Sequence, residues 1–220
     1  MKPKSPFTQP FEALPDRLPL YPLENALLPG GQLPLEASEP WEIAMFFDAI
    51  KADQIIGLIQ PKSTNKGDDL YKTGCAGRIR QWRERKDGRI NIMITGFCRY
   101  KIKQELPEIN GYRQALCDWN GFAHDYDDEQ LSDQRINDFK NKLNHYFERQ
   151  RMQVDWDSLN KLPIEDVVNN LVLVLNFTVE QKQFLLESAT LDQRLNDFTS
   201  LIEQKDAPIW VGEPQSKSMN

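Results

Sequence analysis

Thr73-Gly74-Cys75-Ala76-Gly77-Arg78-Ile79-Arg80-Gln81-Trp82-Arg83, the turn Lys86-Asp87-Gly88, and Arg89-Ile90-Asn91-Ile92-Met93-Ile94-Thr95-Gly96-Phe97-Cys98-Arg99-Tyr100-Lys101-Ile102 decide the fold of the first half of the chain. Residues 72–83 and 89–104 are rich in β-branched and aromatic side chains, and a turn signal stands between them. They predict two long strands joined as a hairpin.

Outward from this hairpin the same pattern continues. Ile55–Ile59 reads as a buried strand, residues 61–69 as a polar loop, and residues 112–119 as one more strand. Leu18-Pro19-Leu20-Tyr21-Pro22-Leu23 carries two prolines, which predicts an edge or entry strand. Leu28-Pro29-Gly30-Gly31 is a tight turn, and Leu33-Pro34-Leu35 is a second short strand. One helix interrupts this half. Ser38 is its predicted cap and Pro40 fits its first turn. Ile43, Phe46, Phe47 and Ile50 give it one apolar face. Six or so strands with one helix predict a small, partly closed barrel.

After His124 the period changes. Asp125-Tyr126-Asp127-Asp128-Glu129 reads as a hydrated acidic linker. Ile136, Phe139, Leu143, Tyr146 and Phe147 then fall on one helical face, and Pro163 stands near the start of another helix. Residues 171–175 are all apolar, which predicts the buried centre of a helical bundle. Thr178 with Gln181 and Thr190 with Gln193 predict two capping boxes. Leu191, Leu195, Phe198 and Ile202 form the seam of the last helix. The expected organisation is a flexible leader at 1–14, a β-rich subdomain at 15–124, a helical subdomain at 125–204 and a mobile tail at 205–220.

Composition narrows the function classes. With 220 residues, 40% hydrophobic residues and a net charge of -6, the chain is long and apolar enough for a real core, and nucleic acid is not its default partner. No run of 18 apolar residues and no secretory h-region occur, so a cytoplasmic protein without a membrane span is expected. Cys75, Cys98 and Cys117 lie in strand-like segments without C-x-x-C spacing and are expected to be reduced and buried.

Catalytic signatures are missing from these residues. No Gly-Lys dipeptide occurs, so there is no Walker A loop, and Gly74 and Gly77 inside a strand point to a bulge or close packing. The two histidines, His124 and His145, are in different segments with no metal-binding spacing, and His145 is expected at the surface. No G-x-S-x-G elbow is present. Neither catalytic, metal nor cofactor residues are therefore expected. One electrostatic feature stands out. Residues 78–103 hold nine Lys or Arg against two acids, Glu84 and Asp87. Arg78, Arg80 and Trp82 alternate and would share one strand face, with Arg83 and Arg85 close by. The stretch reads either as a solvated outer face whose charges protect an edge or as a patch for RNA or acidic peptides.

Several ordered motifs together resemble the Lon protease N-terminal domain, also called the Lon substrate-binding domain. They are residues 18–23, Leu28-Pro29-Gly30, Leu33-Pro34-Leu35, Glu39-Pro40, Gly74-Cys75-Ala76-Gly77-Arg78-Ile79, Asp87-Gly88-Arg89-Ile90, Gly96, Arg99-Tyr100-Lys101-Ile102 and Tyr112-Arg113. In the helical half, Glu180-Gln181-Lys182-Gln183, Leu185-Leu186-Glu187 and Arg194-Leu195 continue the likeness. It covers about residues 17–204. The resemblance implies an α+β fold, a PUA-like β pseudo-barrel with one helix followed by an α-helical bundle. It also implies recognition of unfolded or degradation-marked polypeptide.

Two departures bear on function. Trp41-Glu42 stands where the family usually has Arg-Tyr, and the chain ends where the ATPase and Ser-Lys protease domains would begin. A stand-alone, non-catalytic polypeptide-binding protein is the expectation, with an apolar groove where the two halves share an interface and Trp41 as candidate binding residue. The alternatives are an RNA-binding module through Arg78, Arg80, Trp82, Arg83 and Arg85, or an adaptor docking on a Lon-type protease or another ATPase.

Overall fold

The computed structural model describes residues 9–62 and 69–204. The first eight residues of the expected leader, the middle of the polar loop at 63–68 and the expected tail at 205–220 lie outside the described residues. The chain forms two compact units, Met1–Asp128 and Glu129–Asn220.

The first unit is built from β1 (Arg17–Pro22), β2 (Gln32–Ala37), α1 (Pro40–Lys51), β3 (Ile55–Ile59), β4 (Thr73–Glu84), β5 (Ile90–Ile109) and β6 (Tyr112–Asp118). The sheet runs β2-β5-β4-β3-β1-β6, and β6 returns to pair with β5. Five strands therefore close a ring, with β2 hydrogen-bonded to the outside of β5. The length of β5 permits this. Its first half pairs with β2 and β4, and its second half, from Lys101 on, pairs with β6. Leu18, Leu20, Ile59, Ala76, Cys98, Tyr100, Ala115 and Trp119 belong to the packed interior. All three cysteines are buried free thiols.

The β4–β5 turn follows its sequence signal. Arg85 N–H donates to Arg89 O and Gly88 N–H to Arg85 O, with Gly88 at φ 81, a three-residue loop that closes on a left-handed glycine. Gly96 meets the opening turn instead. A Cβ there would lie 2.3 Å from Leu28 O, and Gly96 exchanges backbone bonds with Gly30 and Gly31.

The expectation that β1 is an edge strand is overturned, because it lies between β3 and β6. Alternation explains how it holds two prolines. Cys117 N–H bonds Asp16 O and Leu23 N–H bonds Ile59 O, so even-numbered residues of β1 turn toward β6 and odd-numbered ones toward β3. Pro19 thus faces β3, whose pairing begins only at Leu20, and Pro22 faces β6, whose pairing has ended at Leu20. Neither ring removes a ladder bond.

The second unit holds α2 (Asp133–Arg149), α3 (Trp156–Leu159), α4 (Ile164–Val174), α5 (Val179–Glu187) and α6 (Leu191–Glu203). Its central helix is α6, which packs against both α2 and α5, and not the 171–175 run of α4. The Phe198 ring of α6 meets those of Phe139 and Phe177 edge to face, with centroids 5.7 and 5.4 Å away. Leu171 and Val172 are buried, but α4 ends at Val174 and Leu173 is only partly covered, so the run is not a helix buried on all sides. The expected seam of α6 is buried at Leu191, Leu195, Phe198 and Ile202. Thr178 and Gln181 form the capping box on α5. Thr190 forms only half of one, since the Gln193 side chain bonds Asp197 instead. Glu129 substitutes, accepting the N–H groups of Leu191 and Asp192 at 2.6 and 3.1 Å.

Candidate functional site

Helix α1 carries one exposed aromatic side chain, Phe47, beside a face that serves the core. Its N-cap is Glu39 rather than Ser38, and Glu39 and Glu42 form a reciprocal capping box with Pro40 in the first turn. Glu42 is buried. Its carboxylate accepts the Tyr21 hydroxyl at 2.9 Å and the N–H groups of Ser38 and Glu39 at 2.8 and 2.9 Å. Burial, then the neighbouring Glu42 charge, pushes the Tyr21 phenol well up.

The helix faces the barrel with Glu42, Met45, Phe46 and Ala49. This rotates the expected apolar face. Ile43 and Ile50 are only partly covered and Phe47 is exposed at 38%. Because Ile43, Phe47 and Ile50 follow i, i+4, i+7 spacing, they form a second apolar stripe beside the core-facing one. Nothing in the spacing could rank the two stripes, since both satisfy the helical period.

Trp41 does not belong to that stripe. It stands two positions before Ile43, about 200° around the helix. Its ring lies 5.7 Å from that of Tyr21, and a Cβ at Gly111 would stand 3.3 Å from its own Cβ. The same flank carries Asp48, which accepts from Asn110 Nδ2 and the Tyr112 hydroxyl, each at 3.0 Å. Trp41 thus packs between the helix and the β5–β6 turn while staying partly exposed.

The basic stretch is divided rather than gathered. Register shifts between Ile79 and Gln81, which leaves Arg80 as a bulge residue. Trp82 then pairs with buried Ile92, whereas Arg78 pairs with Thr95, so Trp82 and Arg78 lie on opposite faces, contrary to the simple alternation. Arg78 bonds Gln54, and Arg85 and Arg89 both clamp Glu36, at 3.1 and 2.8 Å. Arg89 also pairs with Asp87, and its hydrogen bond holds that carboxyl below its ordinary range. Arg83 remains exposed.

Arg99 leaves the surface altogether. Its side chain, 1% exposed, bonds Asp125 through Nε at 3.0–3.1 Å and Nη2 at 2.6 Å, and its own N–H reaches Asp125 Oδ2 at 2.8 Å. His124 Nε2 accepts from Nη2 at 2.8 Å, and the guanidinium sits 5.1 Å over the Phe122 ring. Asp125 is therefore no part of a hydrated linker. It lies with Tyr126 in a buried 3-10 turn of the first unit. Both its oxygens are committed to Arg99, so the cluster serves as a clasp rather than as an acid–base pair. His145 is at the surface.

The remaining motif glycines mark close approach. A Cβ at Gly74 would lie 2.5 Å from Leu58 O, and one at Gly77 2.2 Å from Ile94 Cγ2, leaving no room for a phosphate. Pro29 and Gly30 form the turn that meets Gly96.

Comparison with known proteins agrees with this architecture. Residues 17–204 match the family model of the ATP-dependent protease La (LON) substrate-binding domain. Lon protease 2 of Myxococcus xanthus is 30% identical over 115 residues, covering 49% of this chain and 14% of that protein. Lon protease 2 of Thermus thermophilus is 22% identical over 207 residues, covering 89% of this chain and 25% of its own. The chain thus spans a quarter or less of these relatives. The crystal structure of a Lon N-terminal domain protein from Xanthomonas campestris superposes with a TM-score of 0.59 at 21% identity, over 84% of this chain and 97% of that one. The N-terminal domain of the Mycobacterium avium complex Lon protease gives 0.59 at 17%, over 84% and 98%. With the closed ring, the following helices and the match over 17–204, this chain belongs to the LON substrate-binding domain family.

Proposed function

We propose that this chain is a non-catalytic module that binds unfolded or extended polypeptide, and that the outer stripe of α1 is its primary contact. The observation that carries this is the exposure of Phe47 between half-covered Ile43 and Ile50, on a helix whose other apolar face already serves the core. An exposed apolar strip on a rigid element suits apolar side chains of an unfolded chain. The Lon substrate-binding relationship supports the same class of ligand. Buried reduced Cys75, Cys98 and Cys117 fit a reducing compartment such as the cytoplasm. Separation of Trp82 from the arginines, and the pairing of Arg85, Arg89 and Arg99 with carboxylates, disfavours an RNA surface.

Fluorescence anisotropy with labelled, carboxymethylated α-lactalbumin tests the proposal. Binding should change little between low and high salt, and Phe47→Ser should weaken it about tenfold, equivalent to roughly 1.4 kcal/mol. Steep salt dependence together with tight binding of oligouridylate would reverse the assignment toward RNA. Purified protein should neither hydrolyse ATP nor cleave casein, and turnover abolished by a point substitution in this chain would refute the non-catalytic part.

A further inference from the structure

The β2–β5–β4 ribbon has two outer edges, and its register shows which backbone groups each presents. Arg85 N–H bonds Arg89 O at 2.8 Å, so Arg83 and Gln81 also turn toward β5, and Trp82 and Glu84 turn away. Strand β3 pairs with β4 only as far as Ile55 opposite Arg78, and the last bond on that side is Ile79 N–H to Gln54 O at 2.8 Å. Beyond it, among the described residues, the outward N–H and C=O groups of Trp82 and Glu84 have no partner. Residues 81–84 are all exposed.

The opposite edge is closed to pairing. On β5 the residues that do not face β4 are Ile90, Ile92 and Ile94, which pair with Ala37, Leu35 and Leu33. That alternation turns Pro34 outward, where its missing N–H and its ring block an added strand. Strand β4 carries no such proline.

We infer that residues 82–84 of β4 accept an extended polypeptide as an added strand, and that the preferred segment alternates apolar and acidic residues. This rests on the polypeptide-binding reading above and assigns it a second contact. Backbone pairing supplies affinity that is independent of the ligand's sequence, and the two faces of the edge supply preference. On one face Trp82, 51% exposed, continues the apolar row of Ile92 and Leu35 and meets an apolar side chain. On the other, Arg83 beside the bulged Arg80 meets a carboxylate. Charge complementarity also argues against a second copy of this chain. Antiparallel self-pairing through Trp82 and Glu84 would set Arg83 directly against Arg83.

Full-length protein titrated with an eight-residue peptide of alternating leucine and aspartate tests the inference. Amide hydrogen exchange at Trp82 and Glu84 should slow at least tenfold on saturation. Methylating alternate peptide nitrogens, or replacing aspartate by lysine, should each weaken binding about tenfold. Glu84→Pro removes an outward N–H that the β5 ladder does not use, and should abolish the protection. If that variant unfolds, Arg83→Glu serves instead and should reverse the preference between the aspartate and lysine peptides. Protection at Gln32 and Glu36 in place of Trp82 and Glu84 overturns the inference, as does displacement of the peptide by oligouridylate. Undiminished peptide binding by Glu84→Pro overturns it while leaving the α1 stripe standing. Failure of wild-type protein to bind either this peptide or carboxymethylated α-lactalbumin overturns both.

Discussion

Substituting Asp125 by alanine strands a guanidinium inside the first unit. The Arg99 side chain is 1% exposed and the Asp125 side chain 4%, and the carboxylate takes bonds from Nε, Nη2 and the Arg99 main chain between 2.6 and 3.1 Å. Removing one partner of a buried pair costs about 3–5 kcal/mol, because the surviving charge stays desolvated. Against a domain stability of roughly 5–15 kcal/mol that is a large fraction. At about 4 °C per kcal/mol for a domain of this size, the melting temperature of the β unit should fall by roughly 12–20 °C. The double variant Arg99→Met with Asp125→Leu removes both charges. It should recover to within about 1–2 kcal/mol of the parent, the residue being the lost acceptor for the Arg99 N–H, worth about 1 kcal/mol. Urea unfolding followed by circular dichroism measures both. A loss under about 1 kcal/mol for Asp125→Ala, or a double variant as weak as the single, would refute the clasp.

Four further outcomes are expected. Phe198→Ala should cost about 3–5 kcal/mol in the helical unit by emptying the site between Phe139 and Phe177, and Leu171→Asp should unfold that unit; unchanged urea midpoints would contradict the packing assigned to each. Gly77→Ala should cost about 1–3 kcal/mol, since its Cβ would come 2.2 Å from Ile94 Cγ2, and a stable variant would show that the site can relax. Burial raises the Cys117 thiol from 9.0 to about 12 and the Tyr112 phenol to about 12, and pushes the Cys98, Tyr21 and Tyr100 groups up as well. A raised folded-state value favours the protonated form. The thiol's contribution is therefore complete below pH 9.0 and lost as pH rises toward about 12, so urea midpoints should fall across that window, and a flat profile would contradict it.

Much of the fold was legible because local chemistry and global packing agree. The Lys86-Asp87-Gly88 turn, Ile55–Ile59 and the Thr178 capping box each need only their own neighbours to be recognised. What escaped depends on distant partners. A two-residue period cannot show the bulge at Arg80, which transfers Trp82 to the other face without any glycine or proline to mark it. The prolines of β1 indicate an edge until the strands on either side are seen to start and stop around them. Asp125 looks hydrated within an acidic run, and only the fold brings Arg99, 26 residues earlier, against it. On α1 the period correctly marks apolar residues, but whether Met45 or Phe47 faces the barrel is a tertiary decision. That ambiguity left the candidate binding surface hidden inside what looked like core.

Site-specific crosslinking addresses that surface directly. A benzophenone side chain placed at position 47 of the full chain should, on irradiation, crosslink to carboxymethylated α-lactalbumin, and excess unlabelled unfolded protein should abolish the product. The same group at the exposed His145 should give little. Equal crosslinking at both positions, or none at position 47 under conditions where the probe is bound, would contradict the assignment of α1 as the polypeptide-binding face.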